Sequence, residues 1–133
     1  MSTTLADRPV REIGLRYFDL AELRDLCGYF GPGGADALFD RFAEELPYYA
    51  DVLERALAVS DLRTLARTVH NLRGTVLSFS CMGLAPLCDS VRTFCERGDV
   101  EASRQAAAVL AQANRRALAE LQRLREPGGL LAA

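Results

Sequence analysis

The chain has 133 residues, of which 50% are hydrophobic and 26% are charged, the composition of one soluble globular domain with a sizeable core. Its formal net charge of -2 argues against a general nucleic-acid binder. No apolar run is long enough to cross a bilayer and the N-terminal residues lack the pattern of a secretory signal, so we expect a cytoplasmic protein without a membrane partner.

The cysteines do not have the spacing of a metal site. They are Cys27, Cys81, Cys88 and Cys95, with no pair separated by only two residues. The last three recur every seven residues, which on a helix places them on one face rather than in a chelating loop. We therefore expect reduced, mostly buried thiols, with neither a metal site nor disulfides.

The N-terminal part of the chain predicts an arm followed by a short helix. Residues 1–17 have no clear periodicity and are expected to form a flexible N-terminal arm. Asp19 and Glu22 have the spacing of a capping box ahead of a helix from about Leu20 to Phe30, with Phe30 among its buried positions.

A Gly-Pro-Gly-Gly segment at 31–34 predicts a break before a second, longer helix. This helix is expected to run from about Ala35 to Val59. Pro47 is expected to kink or split it, because proline removes a backbone donor and crowds the preceding turn.

The third predicted helix carries the only histidine of the chain, His70. Ser60 or Asp61 can cap its start, and it is expected to end near Phe79 or Ser80. His70 lies one residue past the apolar stripe, and a step of about 100° around the helix turns it towards solvent. The stripe consists of Leu62, Leu65, Val69, Leu72, Val76 and Phe79.

Two further helices follow. Gly83 and Pro86 mark the first turn of the fourth helix, and Gly98 has the character of a left-handed stop at its end. Asp99 is expected to cap the fifth helix, whose predicted buried face includes Val109. Residues 127–133 then form a C-terminal tail.

These elements predict an all-α fold, an antiparallel up-down-up-down four-helix bundle with the additional short N-terminal helix across one end. The predicted domain covers residues 18–126, between the arm and the tail. Because the apolar faces turn inward, His70 should point outward near the middle of its helix.

The helix face that carries His70 is basic and sterically open. No acidic residue occurs between Asp61 and Asp89, so we expect an anionic partner or group at this face. Gly74, one turn after His70, removes a side chain that would crowd the ring. The residues that helical spacing places on this face are Arg63, Ala66, Arg67, Arg73, Gly74 and Leu77.

An exposed histidine on such a face is suited to phosphoryl transfer. At neutral pH it is mostly uncharged, so a ring nitrogen can attack an activated phosphoryl group. Arg67 and Arg73 are suitable neighbours, because a guanidinium offers forked donors to phosphate oxygens. The competing interpretation is that His70 has no role and that the arginines form an ordinary solvated face.

The segment ARTVHNLRGTVLSF resembles the signature of histidine-containing phosphotransfer (HPt) domains, approximately A-x-x-x-H-x-[LI]-[KR]-G. The resemblance covers about residues 18–126. Upstream, FAEELPYYADVLERALAVSDLRTLARTVH is similar to the family's preceding helix, and downstream GLAPLCDSVRTFCERGD is similar to its following helix. The His-x-x-Arg-Gly core alone would be weak evidence, but the flanking pattern and the five predicted helices make the resemblance specific.

The resemblance implies a phosphorelay intermediate rather than an enzyme with autokinase activity. His70 would accept a phosphoryl group from the aspartyl phosphate of a receiver domain, in a hybrid sensor histidine kinase, and pass it to the receiver aspartate of a response regulator. Arg73 would balance phosphate charge where the family usually has lysine, and Gly74 would keep His70 accessible. Contacts with partner or phosphate would come from Arg63, Arg67, Ala66 and Leu77.

The same resemblance implies that the chain needs no cofactor of its own, since Mg²⁺ would be held by the partner receiver domain. We also expect a monomer. Two positions depart from the family pattern. Arg73 is bulkier than lysine and prefers forked contacts, and Ser80 stands where the family often has glycine, which predicts slight crowding at the helix end.

Two other functions compete with this interpretation. A kinase dimerisation domain also exposes a histidine on a helical hairpin, but such domains have an acidic general base directly after it, where this chain has Asn71. The chain also lacks a glycine-rich nucleotide-binding segment. The other rival is a non-catalytic helical-bundle interaction module that docks an acidic partner protein. Labelling of His70 by receiver domains would exclude this function.

Overall fold

The computed structural model describes residues 15–131, and this part of the chain is all-helical, without a strand. The prediction of an all-α fold is confirmed. The elements are α1 (Leu20–Ala58), α2 (Leu62–Ser78), a single 3-10 turn (Met82–Leu84), α3 (Ala85–Glu96) and α4 (Val100–Arg125).

Helix α1 spans the first two predicted helices. The predicted break is present as a single non-helical residue, Gly31, with φ 73° and ψ 171°, a conformation that glycine adopts without a steric penalty. Helix α1 therefore consists of two helical segments that meet at Gly31, and the first of them starts at Leu20 as predicted. Of the kink or split predicted at Pro47, the split is wrong, because Gly31 is the non-helical residue inside α1 and Pro47 lies within the helix. The fully buried Leu46 and Ala50 on either side of it show how tertiary packing outweighs the local preference of proline.

Aspartate side chains start three of the helices. Asp19, Asp61 and Asp99 each accept a hydrogen bond from the backbone N–H three residues later, at 3.0 or 3.1 Å, which satisfies an amide that the helix leaves unpaired. The cap of α2 is thus Asp61 rather than Ser60. The second half of the predicted capping box at Asp19 is replaced by a tertiary contact, in which its N–H donates to the Ser80 carbonyl at 3.4 Å.

Helices α1, α2 and α3 end in the same way, on a residue with positive φ. These residues are Ser60 (54°), Ser80 (54°) and Gly98 (70°), so the left-handed stop predicted at Gly98 is confirmed. At the end of α2 the N–H of Ser80 donates to Leu77 and that of Cys81 donates to Val76, the two bonds of a Schellman motif. Position 80 therefore favours glycine because of its backbone conformation.

The helices enclose one core. Helix α1 packs along α4, α4 against α3, α3 against α2, and α2 against α1, an arrangement in which every helix has two neighbours. The Phe42 ring stacks on Phe79 with centroids 4.4 Å apart and meets Phe18 edge-on at 5.9 Å. The predicted stripe of α2 faces this core, with Leu62 partly buried and the other five members buried.

Two positions predicted to be buried are exposed. Phe30 is 47% exposed and packs edge-on against Tyr29, because it directly precedes the non-helical Gly31 and so leaves the face that the next helical segment buries. Val109 is 53% exposed and lies at the rim of a groove of about 300 Å³ between α3 and α4.

The segment before α1 is docked onto the bundle. Glu120 of α4 accepts hydrogen bonds from the backbone N–H groups of Arg16, Tyr17 and Phe18 at 3.0, 3.0 and 3.1 Å. The N–H of Gly83 donates to the Tyr17 carbonyl at 2.9 Å. Most of the arm predicted over residues 1–17 lies outside the described residues.

At the other end, the N–H of Leu131 donates to the carbonyl of Leu124 at 2.9 Å, and Leu130 and Leu131 pack against the core. The remainder of the predicted tail, residues 132 and 133, lies outside the described residues. Between residues 15 and 131, no helix combines the length and the apolar character that crossing a membrane requires.

Candidate functional site

His70 lies near the middle of α2 on its exposed side. Its neighbour Val69 is 1% exposed and Leu72 is fully buried, so the histidine follows the buried stripe by one helical step. A step of about 100° carries its side chain away from the core. The imidazole is therefore accessible to another protein.

The space beside His70 is open because of Gly74. A Cβ atom built at this position would meet no atom within 4 Å, so the packing of the fold does not require glycine there. A glycine inside a helix costs about 0.5–1 kcal/mol relative to alanine. The chain thus accepts a small destabilisation and gains an uncovered helix surface one turn from the imidazole.

Arg73 is engaged in an ion pair with a residue from the next helix. Its Nε lies 2.8 Å from Oδ1 of Asp89 in α3, and the two side chains are 39% and 41% exposed. Arg92 approaches the same carboxylate oxygen at 3.8 Å. The sequence of α2 is free of acidic residues, but the fold brings a carboxylate to its basic face, so this face is partly neutralised.

The remaining predicted residues are distributed along α2. Arg63 and Arg67 are exposed and form no ion pair within the part of the chain that the structure describes. Ala66 is half-buried, and Leu77 is 42% exposed. The structure therefore presents two unpaired cations and one apolar side chain on the helix that carries His70.

The start of α2 has its own electrostatic feature. Hydrogen bonds from the Thr64 side chain and backbone lower the pKa of the exposed Asp61 carboxyl group, with a smaller contribution from the charge of Arg67. The carboxylate caps the start of α2.

A groove of about 250 Å³ runs between α1 and α2 beside this face, with Tyr48, Arg67 and Asn71 in its lining. Tyr48 is 58% exposed and packs edge-on against Tyr49. An exposed aromatic ring next to cationic and amide side chains is typical of surfaces that bind proteins. Sequence reasoning did not single out Tyr48, since helical periodicity alone does not show which helix it faces.

The cysteines are free thiols. Cys81 and Cys88 are buried and Cys27 and Cys95 are half-buried. Burial raises the pKa of the Cys81 thiol, and it raises that of Cys88 to about 12, so both are protonated at neutral pH and poorly suited to bind metals. Within residues 15–131 no cluster of three or more histidine, cysteine, aspartate or glutamate side chains has the arrangement to hold a metal ion.

Asp89 is a second residue at this site that sequence reasoning missed, because it was considered only as the end of an acid-free stretch. A signal for it was present. Arg73 and Asp89 each lie eight residues from Cys81, and two helices that pack together after a tight turn bring such symmetrically placed positions close to each other.

A family model described as the Hpt domain matches residues 37–126. The match includes α2, α3, α4 and the part of α1 after residue 36, and it includes His70, Arg73 and Gly74. Comparisons with curated proteins and with solved structures find no match. Hpt domains serve in phosphotransfer in two-component phosphorelays, where they interact with receiver domains. With the helical fold and most of the chain matched, the protein belongs to the Hpt domain family.

Proposed function

We propose that His70 is the phosphoryl acceptor of this Hpt domain. It takes the group from the aspartyl phosphate of a receiver domain in a hybrid sensor histidine kinase and passes it to the receiver aspartate of a response regulator. The observation that carries the proposal is the exposed imidazole at the middle of α2, next to a glycine that the packing of the fold does not require.

The chemical step needs little from the protein beyond position and charge. The unprotonated ring nitrogen of His70 attacks the phosphorus atom, and an N–P bond forms as the P–O bond to the aspartate breaks. The electron pair of that bond leaves with the carboxylate. Transfer to the second receiver reverses these steps, so the chain acts as a carrier. The chain supplies no cofactor and no autokinase activity, and Mg²⁺ belongs to the receiver.

Three arginines on α2 provide the positive charge. Arg63 and Arg67 are exposed and unpaired within the described residues, and Arg73 lies at the i+3 position from His70. Arg73 gives Asp89 a single hydrogen bond, through Nε, so its guanidinium can turn to phosphoryl oxygens. Hydrogen bonds between guanidinium groups and phosphate are about twice as strong as those between neutral groups.

The docking surface of the proposal is the exposed face of α2 around Gly74, Ala66 and Leu77. A receiver domain reaches His70 only if its own active-site rim fits over this face, and a side chain at position 74 would obstruct that approach. We also propose that the helices run up-down-up-down with a short N-terminal helix covering one end, and that the protein is a cytoplasmic monomer.

The test is transfer from a panel of receiver domains that carry a radiolabelled aspartyl phosphate. We expect at least one receiver to give the wild-type chain an acid-labile, alkali-stable label, and no receiver to label His70→Gln. Arg104→Gln, a change at an exposed position of α4, is the control and should be labelled normally.

Equal labelling of His70→Gln would contradict the proposed acceptor. If no receiver labelled the wild-type chain, although the same receivers labelled a known Hpt domain, the chain would instead be an interaction module without phosphotransfer.

A further inference from the structure

We propose that Asp89 is a positioning residue that competes with the phosphoryl group on His70 for the guanidinium of Arg73. In the unphosphorylated chain Asp89 holds Arg73, and on phosphorylation Arg73 turns from Asp89 to the phosphoryl oxygens. Asp89 thereby lowers the occupancy of phosphohistidine and favours onward transfer. This inference rests on the proposed role of His70.

The geometry places Arg73 between two anionic positions. As the i+3 neighbour of His70, it has its Cβ atom roughly 5–6 Å from that of the histidine. Asp89 lies across the contact between α2 and α3, with its Oδ1 2.8 Å from Nε of Arg73. The side chain of Arg73 is long and flexible, so it can reach either group while the helix backbones stay in place.

The contact with Asp89 is not the strongest that arginine can form. Only Nε donates to a single carboxylate oxygen, whereas the strongest arginine–carboxylate pairs use two parallel hydrogen bonds. Within the described residues the terminal nitrogens of Arg73 have no hydrogen-bond acceptor. A group that accepts two parallel hydrogen bonds from this guanidinium therefore binds it more strongly than Asp89 does, and can take it over.

Solvent exposure makes an exchange of partners inexpensive. The side chains of Arg73 and Asp89 are 39% and 41% exposed, and an ion pair in such an environment adds little to the stability of a fold. A phosphoryl group carries almost two negative charges at neutral pH and three acceptor oxygens. It therefore attracts a guanidinium more strongly than one partly solvated carboxylate does.

Arg92 supplies a second partner for Asp89 when Arg73 leaves. Its terminal nitrogen lies 3.8 Å from Oδ1 of Asp89, and its Nε lies 3.9 Å from Glu96. Both contacts are long, so Arg92 can shorten the first of them at little cost. Asp89 then keeps a cation nearby in both states.

The experiment compares the full-length wild type with Asp89→Asn, Arg73→Ala and the double variant. The first readout is the ratio of phosphohistidine to receiver aspartyl phosphate at equilibrium. We expect Asp89→Asn to raise this ratio about threefold or more, since the competing charge is removed, and Arg73→Ala to lower it. In the Arg73→Ala background, Asp89→Asn should have no effect.

The matched control is Glu101→Gln, which removes an exposed carboxylate of α4 that forms no ion pair with Arg73 or Arg92 in the described residues. It should leave the ratio unchanged. A purely structural role for Asp89 predicts that its variant alters the unfolding midpoint, whereas we expect the midpoint of Asp89→Asn to match that of the wild type.

The second readout needs no receiver domain. Phosphoramidate phosphorylates histidine directly, as its P–N bond breaks, ammonia leaves and an N–P bond to the imidazole forms. We expect the ¹⁵N resonance of the Arg73 Nε–H group to shift on phosphorylation in the wild type and not in His70→Gln.

If receivers label His70 normally but Asp89→Asn lowers the ratio or leaves it unchanged, this inference is overturned and the proposed function stands. An increase that persists in the Arg73→Ala background would also overturn it, because the effect would then not pass through Arg73. If His70→Gln is labelled as strongly as the wild type, the proposed function itself is wrong.

Discussion

The carboxylates of Glu120 and Asp89 occupy opposite environments in the same bundle. Glu120 is 2% exposed and accepts three backbone hydrogen bonds from the segment before α1. Asp89 is 41% exposed, and its partners are the guanidinium groups of Arg73 at 2.8 Å and Arg92 at 3.8 Å. Desolvation makes each bond to a buried carboxylate costly to break, while solvent compensates the loss of an exposed one. The first carboxylate fixes the fold, and the second is free to change partners.

The same contrast separates two glycines. At Gly83 a Cβ atom would lie 2.7 Å from the Tyr17 Cα and clash with the Arg16 carbonyl, whereas at Gly74 it would meet nothing within 4 Å. The fold therefore requires glycine at position 83 and does not require it at position 74. The proposed docking of a receiver domain over Gly74 would explain a glycine that the packing of the fold does not require.

The largest expected effect is at the buried carboxylate. Glu120→Ala leaves three backbone N–H groups without an acceptor, and we expect it to lower the free energy of unfolding by about 3 kcal/mol. Urea denaturation measures this value. Glu101→Ala, at an exposed position of α4, should change it by no more than about 0.5 kcal/mol. Equal effects of the two variants would contradict the claim that the buried carboxylate of Glu120 stabilises the fold more than an exposed carboxylate does.

A smaller loss is expected when the segment before α1 is pushed from its position. Gly83→Ala forces the backbone at Arg16 and Tyr17 to move. This should lower the free energy of unfolding by about 2 kcal/mol, the typical cost of forcing extra atoms into a well-packed core. Gly74→Ala should instead stabilise the fold by about 0.5–1 kcal/mol, because alanine is the better helix former. Thermal unfolding of both variants checks the opposite signs, and a destabilised Gly74→Ala would show that position 74 is packed.

A gain of stability is expected at the end of α2. Ser80 has a φ of 54°, a conformation that disfavours every residue with a Cβ atom. Ser80→Gly should stabilise the fold by about 0.5 kcal/mol, the strain relieved minus the greater freedom of glycine in the unfolded chain. Ser78→Gly, inside the helix, should destabilise it by about 0.5 kcal/mol. If the denaturation midpoints of Ser80→Gly and Ser78→Gly shifted in the same direction, the backbone of Ser80 would not be strained.

At Gly74 a large change in function is expected without a loss of stability. Gly74→Leu adds a side chain outside the core and removes a glycine from the helix, so the free energy of unfolding should not fall and can rise by about 0.5 kcal/mol. Transfer from a phosphorylated receiver should slow strongly, because the leucine blocks the approach to His70. Rapid-quench kinetics measure the rate, with Arg104→Leu on α4 as the control. Unchanged transfer in Gly74→Leu would show that the partner docks elsewhere.

The local features of this fold could be predicted from the sequence. The stripe of α2, the caps at Asp61 and Asp99 and the stop at Gly98 each depend on residues within a few positions of one another. The outward direction of His70 follows from the same periodicity. These features are what positions the proposed acceptor.

Features that depend on distant parts of the chain could not be predicted in this way. Glu120 binds amides more than a hundred residues away, and the Arg73–Asp89 pair joins two helices. Pro47 stays within α1 because the packing of its neighbours outweighs its local preference. Helical periodicity also assigned Phe30 and Val109 to the core. Periodicity alone does not show that the helix is interrupted after Phe30 or that a groove lies between two helices at Val109.

The most direct test of the central claim is the location of the phosphoryl group after transfer. The wild-type chain is incubated with a phosphorylated receiver, and the product is analysed by ³¹P NMR and by fragmentation mass spectrometry under alkaline conditions. We predict a single phosphoramidate signal, with the added mass on the fragment that contains His70. A phosphoryl group found on any other residue, or the same signal in His70→Gln, would contradict the account.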